Sequence, residues 1–283
     1  MLDLELLILK IAAPLSLLLL YLAVFWISKW AANKFTPYDI NTEISEKHNK
    51  AISISLSGYL IAVSIIFASA LVGPSQGIVQ DLLLVGGYSV VGIILLNISR
   101  VINDKLILYK FQNRSELVDD QNEGTGAVVA GSFIASGLVV AGAVHGEGGG
   151  IDTAIAFFAI GQLVLILFSK VYNLITPYDI HDEIEKDNVA AGVAFGGTLI
   201  ALGIILMNGA SGNFISWGEN LSRFALVSCG AFILLPVFRY IMDKVLIPYY
   251  DLNHEIHNDR NIGAGILEFV MVVCFASIVF FAI

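Results

Sequence analysis

Apolar residues run almost unbroken through eight stretches of this chain, near residues 6–32, 51–72, 78–102, 124–144, 152–174, 189–208, 220–242 and 262–283. Each is about 20 residues or longer, the length a helix needs to cross a hydrocarbon core about 30 Å thick. The polar connections between them are of two kinds. Those after the first, third, fifth and seventh stretches carry acids, bases and an asparagine; the others carry few charges. The pattern predicts an all-α, polytopic integral membrane protein of eight transmembrane helices, with no stretch left for a soluble domain.

The charged connections repeat one core. The first reads Tyr38-Asp39-Ile40, then Glu43-Ile44 and Asn49. The second reads Phe111-Gln112, then Glu116-Leu117 and Asn122. The third reads Tyr178-Asp179-Ile180, then Glu183-Ile184 and Asn188, and the fourth Tyr250-Asp251-Leu252, then Glu255-Ile256 and Asn261. The unit is therefore a pair of spans joined by a motif loop, about 70 residues long and used four times. Fixed-period self-similarity of this kind marks a repeat architecture. Units one and three share the string TPYDI, whereas two and four share RVINDKLI and RYIMDKVLI, so the chain divides into halves at 1–145 and 146–283. Two spans per unit give every unit one orientation, which makes the repeats parallel.

These features resemble the bacterial membrane family called domain of unknown function 350: the aromatic-Asp-Ile-x-x-Glu-Ile segment, the asparagine after it and a small-residue-rich span. The resemblance covers nearly the whole chain as four copies, with unit two departing most, since Gln112 replaces the aspartate. It implies a bacterial inner-membrane location and, as a partner, a PspA-like cytoplasmic membrane-stress protein.

Charge sets the expected orientation. Lys34, Lys47 and Lys50, then Arg100, Lys105, Lys110 and Arg114, then Lys170 and Lys186, then Arg239, Lys244 and Arg260 lie in or beside the motif connections. By the positive-inside rule these connections are cytoplasmic and both termini extracytoplasmic. The chain is 57% hydrophobic with a formal net charge of −9, which excludes a general nucleic-acid or anionic-lipid binder. Cys229 and Cys274 fall within apolar spans and read as small core hydrophobes with no disulfide. No metal loop, catalytic motif or cofactor fingerprint is present, so the expected class is non-enzymatic, with no cofactor.

Thr36 and Thr176 precede a proline and, three positions on, an aspartate. That order predicts a threonine N-cap with proline at the first helical position. Asn49, Asn122, Asn188 and Asn261 stand where the even-numbered spans begin and are expected to N-cap them. Arg100 with Asp104, and Arg239 with Asp243, are spaced as i,i+4 ion pairs. His48, His181, His254 and His257 fall in loops and are expected to face solvent.

The candidate chemistry rests on acids. Asp39, Glu43, Glu116, Asp179, Glu183, Asp251 and Glu255 would gather around the cytoplasmic mouth of a pseudo-symmetric bundle, where acidic rings attract cations. Glu268 lies about two turns inside the last span, where the other units have Leu56, Val129 and Phe195, and an intramembrane acid is a functional-site candidate by default. The even spans are rich in glycine and alanine, which lets helices approach closely and predicts that they pack centrally, although the same glycines would also suit the lining of a narrow pore. The first functional reading is thus a passive pore or carrier for a small cation or solute. The alternative is a membrane scaffold that docks a cytoplasmic partner, either of them as a monomer or a homo-oligomer.

Overall fold

In units one, three and four the motif loop folds as a short capped helix between two long apolar ones. The structure is a computed structural model describing residues 2–146, 148–246 and 249–282; the side chains of residues 2–10 and 246 lie outside the described set. Unit one comprises α1 (Leu2–Phe35), α2 (Ile40–Ser45) and α3 (Lys50–Ala70). Unit two comprises α4 (Ile78–Ile102) and α5 (Glu123–Val144), with its loop carrying two π-helical segments, Asn103–Ile107 and Ser115–Asp119. Units three and four comprise α6 (Ile151–Ile175), α7 (Ile180–Glu185) and α8 (Val189–Ala210), then α9 (Trp217–Leu246), α10 (Leu252–His257) and α11 (Ile262–Ala282). Among the described residues, eight helices are long and apolar enough to cross a membrane.

The second helices of the units stand side by side in the order α3, α5, α8, α11, each packed most extensively on its neighbours in that order. The first helices form an outer row that rides over the seams: α4 contacts both α3 and α5, α6 contacts α5 and α8, and α9 contacts α8 and α11. This is an open row of two staggered layers. It corrects the expectation of acids gathered around one mouth, because the units are strung along a line. Burial follows position. In α5 and α8, 78% of the apolar window is buried inside the molecule, against 11% in α1 and 39% in α11 at the end of the row. The even-numbered spans form the inner row as expected, with α3 and α11 at its two ends.

Backbone contact makes the inner row possible. Counting from each capping asparagine, the second residue of one unit meets the fourth of the next, as Ala51 meets Gly126, Gly124 meets Gly192, and Ala190 meets Gly265. A Cβ on Gly126 would lie 2.6 Å from the Ala51 carbonyl oxygen, so the site admits only hydrogen there. The ninth position is glycine in units one to three (Gly58, Gly131, Gly197), and each presses on the following helix. In unit four it is Val270, which is exposed. A valine there keeps another backbone at a distance, so the row stops at α11. Terminal repeats of stacked arrays are modified in this way.

Cys229 and Cys274 are both free and exposed on the outer surface of the bundle, which corrects their reading as core residues.

Candidate functional site

In TPYDI the helix starts three residues later than expected. Thr36 and Thr176 close the preceding helix: their hydroxyls donate to the carbonyls of Ala32 and Tyr172 at 3.0 Å and to those of Tyr38 and Tyr178 at 3.1 and 3.0 Å. The N-caps of α2 and α7 are Asp39 and Asp179, whose carboxylates accept from the Thr42 and His181 amides at 2.8 and 3.0 Å. Asp251 caps α10 in the same manner. The physical reason is the asparagine three residues before each threonine. Asn33 and Asn173 accept from the Ile40 and Ile180 amides at 2.7 Å and donate to Asp39 and Asp179, so the loop folds back before the helix begins. In units two and four Asp104 and Asp243 do this work, accepting from the amides of Asn113 and Leu252 at 3.2 and 2.8 Å. Those aspartates are loop closers and not the i,i+4 partners of Arg100 and Arg239.

Asn49, Asn122 and Asn188 N-cap α3, α5 and α8, accepting from the amides of Ile52, Thr125 and Ala191. Asn261 reaches the Ala264 amide at 3.4 Å. The residue before each asparagine, His48, Gln121, Asp187 or Arg260, is left-handed with φ between 48° and 60°. That turn aims the asparagine amide at the motif glutamate: Asn49 to Glu43 at 3.2 Å, Asn122 to Glu116 at 2.8 Å, Asn188 to Glu183 and Asn261 to Glu255 at 2.9 Å. Composition gave no sign of the left-handed residue, since none of the four is glycine.

The same amide groups tie the units together. Asn49 also donates to the Leu117 carbonyl of unit two at 2.7 Å, Asn122 to Ile184 of unit three at 2.6 Å, and Asn188 to Ile256 of unit four at 2.8 Å. The acceptor is each time the residue after the next motif glutamate. Glu43, Glu116 and Glu183 are buried, and so are their asparagines. Lys47 reaches Glu43 at 2.7 Å and Lys186 lies 4.0 Å from Glu183. The motif carboxylates thus have partners already, and they stand in a row.

Electrostatics follow the same geometry. Burial pushes the Asp179 carboxyl up, but the Lys110 ammonium at 2.7 Å and the Asp182 amide more than offset it, holding it at about 2. Hydrogen bonds from the Thr42 amide and Asn33 hold Asp39 below the usual range. Glu116 moves the other way: burial raises it, and Asp120, Asp187 and Glu185 add to the rise against the Asn122 bond. Asp120, Glu185 and Asp187 are exposed near Glu116, with Asp119 exposed beside them in sequence, so acids outnumber the exposed bases Arg114 and Lys186 at the centre of the motif face. His181 is buried, its Nε2 2.7 Å from the Ile107 carbonyl, which corrects the solvent-facing expectation. Among the described residues no group of three or more His, Cys, Asp and Glu side chains is arranged to hold a metal ion.

Glu268 sits apart from this face and is fully buried. It accepts from Arg239 Nε at 2.6 Å and Nη2 at 3.1 Å and from the Tyr172 hydroxyl at 2.9 Å. Arg239 continues to Asn253 Oδ1 at 2.9 Å, so the cluster clamps α6, α9, α10 and α11. A charge buried in low dielectric persists when paired and hydrogen-bonded in this way. In the first half the corresponding residues are Ala32, Arg100 and Val129, and Arg100 instead donates to the Phe35 carbonyl that ends α1.

The repeat seen in the fold is also a repeat in sequence relationship. The family model described as Domain of Unknown Function (DUF350) matches residues 5–144 and again 148–283. The chain belongs to the DUF350 family. Each DUF350 match takes in two of the two-helix units. The UPF0719 transmembrane protein of Aquifex aeolicus (strain VF5) is 21% identical over 254 residues, covering 87% of this chain and 92% of that protein. The UPF0719 transmembrane protein YshE of Bacillus subtilis (strain 168) is 26% identical over 125 residues, 44% of this DUF350 chain and 87% of YshE. The UPF0719 inner membrane protein YjfL of Escherichia coli (strain K12) is 35% identical over 68 residues, 22% of this chain and 52% of YjfL. No solved structure matches the chain.

Proposed function

We propose that this protein is a non-catalytic scaffold of the bacterial inner membrane, with the motif face in the cytoplasm and a basic soluble partner docked on its acidic centre. The observation that carries this reading is the use of the motif carboxylates. They cap helices and hold the asparagines that tie unit to unit, which fixes a rigid row of turns and leaves Asp119, Asp120, Glu185 and Asp187 outward. A cation path along the inner row is disfavoured because its helices meet backbone to backbone. The halves 1–145 and 146–283 each contribute two of these acids, so the docking surface lies at their junction. A PspA-like membrane-stress protein is the partner that the family resemblance implies.

The test uses the full chain in liposomes. Cation flux should stay at the level of empty vesicles, and purified PspA-like protein should sediment with the proteoliposomes. Reversing the four outward acids to lysine should abolish that sedimentation while leaving the fold intact by circular dichroism. Flux above the empty-vesicle level, or equal sedimentation with the reversed variant, overturns the proposal.

A further inference from the structure

A cavity of about 600 Å³ opens on the outside of the bundle near the motif face, between the π-helical end of α4 and the last turns of α6. Its walls carry Lys105 from unit two and Lys170 from unit three, so it straddles the junction of the two halves. Both lysines are exposed, and neither makes an ion pair or a hydrogen bond among the described residues. Among the described residues Lys34, Arg114 and Arg260 are likewise without such a partner, but of these cations only Lys105 and Lys170 line this cavity. Lys244, the counterpart of Lys105, is held by Asp243 at 2.9 Å, whereas Lys105 makes no such pair with Asp104. The other nearby lysine, Lys110, is neutralised by Asp179 and Asp182 at 2.7 Å each.

Beside the two cations the lining is partly apolar, with Asn173 as a further polar member. Leu106 is 47% exposed and Leu174 81% exposed, and Ile166 adds to the same wall. Tyr109 stands at the rim with its ring 4.7 Å from that of His181. His181 also lines the cavity; it is 1% exposed, and its Nδ1 lacks a hydrogen-bond partner. The arrangement has two unpaired cations near the motif-side ends of two candidate spans, a tyrosine, and apolar side chains between them. Basic pockets between transmembrane helices bind anionic headgroups, and tyrosine is enriched at that level.

We propose that this cavity is a binding site for one anionic phospholipid, its phosphate held between Lys105 and Lys170, its glycerol end against Leu106 and Leu174, and its acyl chains running past Ile166. The lipid joins the two halves on the outside as Asn122 joins them on the motif face. Chemistry favours a lipid over free phosphate because half the lining is apolar and faces the bilayer.

The experiment places the full-length protein in nanodiscs of phosphatidylcholine doped with phosphatidylglycerol and reads retained lipid by native mass spectrometry. Wild type should retain one phosphatidylglycerol in preference to phosphatidylcholine. Lys105→Gln and Lys170→Gln should each weaken that preference about fivefold, given roughly 1 kcal/mol for each lysine near an anionic surface. The control Lys34→Gln, at the exposed end of α1, should leave it unchanged. Equal preference in the double variant and wild type overturns the proposal, as does an equal loss in the control. Displacement of the lipid by inorganic phosphate at millimolar concentration overturns it too, since the site would then read the phosphate alone.

Discussion

The ties between units make Asn188 a far more costly residue to lose than its repeat counterpart Asn261. Asn188 is buried; its oxygen caps α8, and its amide serves both Glu183 at 2.9 Å and the Ile256 carbonyl at 2.8 Å. Asn188→Ala removes a cap worth about 1 kcal/mol. It also takes one donor from a buried carboxylate, whose oxygen keeps His257 Nδ1 at 3.2 Å, and one from a buried carbonyl, at about 1–3 kcal/mol for each lost bond. The expected loss is about 3 kcal/mol or more. Asn261 is exposed, has a long cap contact of 3.4 Å and has no following unit to reach, so Asn261→Ala should cost about 1 kcal/mol or less. Asn188→Asp separates the two contributions. It keeps the capping oxygen, lacks both donors and sets a second carboxylate against Glu183, so it should recover none of the inter-unit part. The measurement is the equilibrium unfolding midpoint in mixed micelles, followed by far-ultraviolet circular dichroism. Equal destabilisation by the two alanine variants, or near-native stability of Asn188→Asp, would refute the idea that these asparagines tie the units.

Two further expectations concern charge. Arg239→Met should be strongly destabilising because it leaves Glu268 buried and unpaired, by about 3–5 kcal/mol, and adding Glu268→Met should recover most of that loss; the same unfolding titration checks the cycle, and an additive double variant would count against the clamp. Glu116 has a raised pKa in the folded state, so its ionisation works against folding: the stability it gives is present below the ordinary carboxylate value and lost as pH rises through the raised one. Glu116→Gln should therefore raise the melting temperature at pH 7 and lose that advantage as pH falls toward 4; a variant less stable than wild type at pH 7 would show that the Asn122 bond outweighs burial and repulsion.

The sequence alone determined the membrane-spanning class, the four-unit repeat and the capping asparagines. Hydrophobic length answers to bilayer thickness, and helix starts need a side-chain acceptor, both of which are written locally. It also showed that the glycine-rich spans lie inside, although the exposed flank of α11 could be read only by setting Val270 against Gly58, Gly131 and Gly197. The threonines of TPYDI misled because a capping pattern reads alike from either side: Asn33 and Asn173, three residues upstream, decide that Thr36 and Thr176 end a helix and Asp39 and Asp179 begin one. Tertiary structure alone decided that the units form an open row, that each asparagine reaches the carbonyl of the next unit, and that Glu268 finds Arg239 and Tyr172. Those contacts join residues 29 to 96 positions apart. A repeat period states that units are alike; only the packing of their small-residue faces states which unit lies beside which, and therefore where each carboxylate finds its partner.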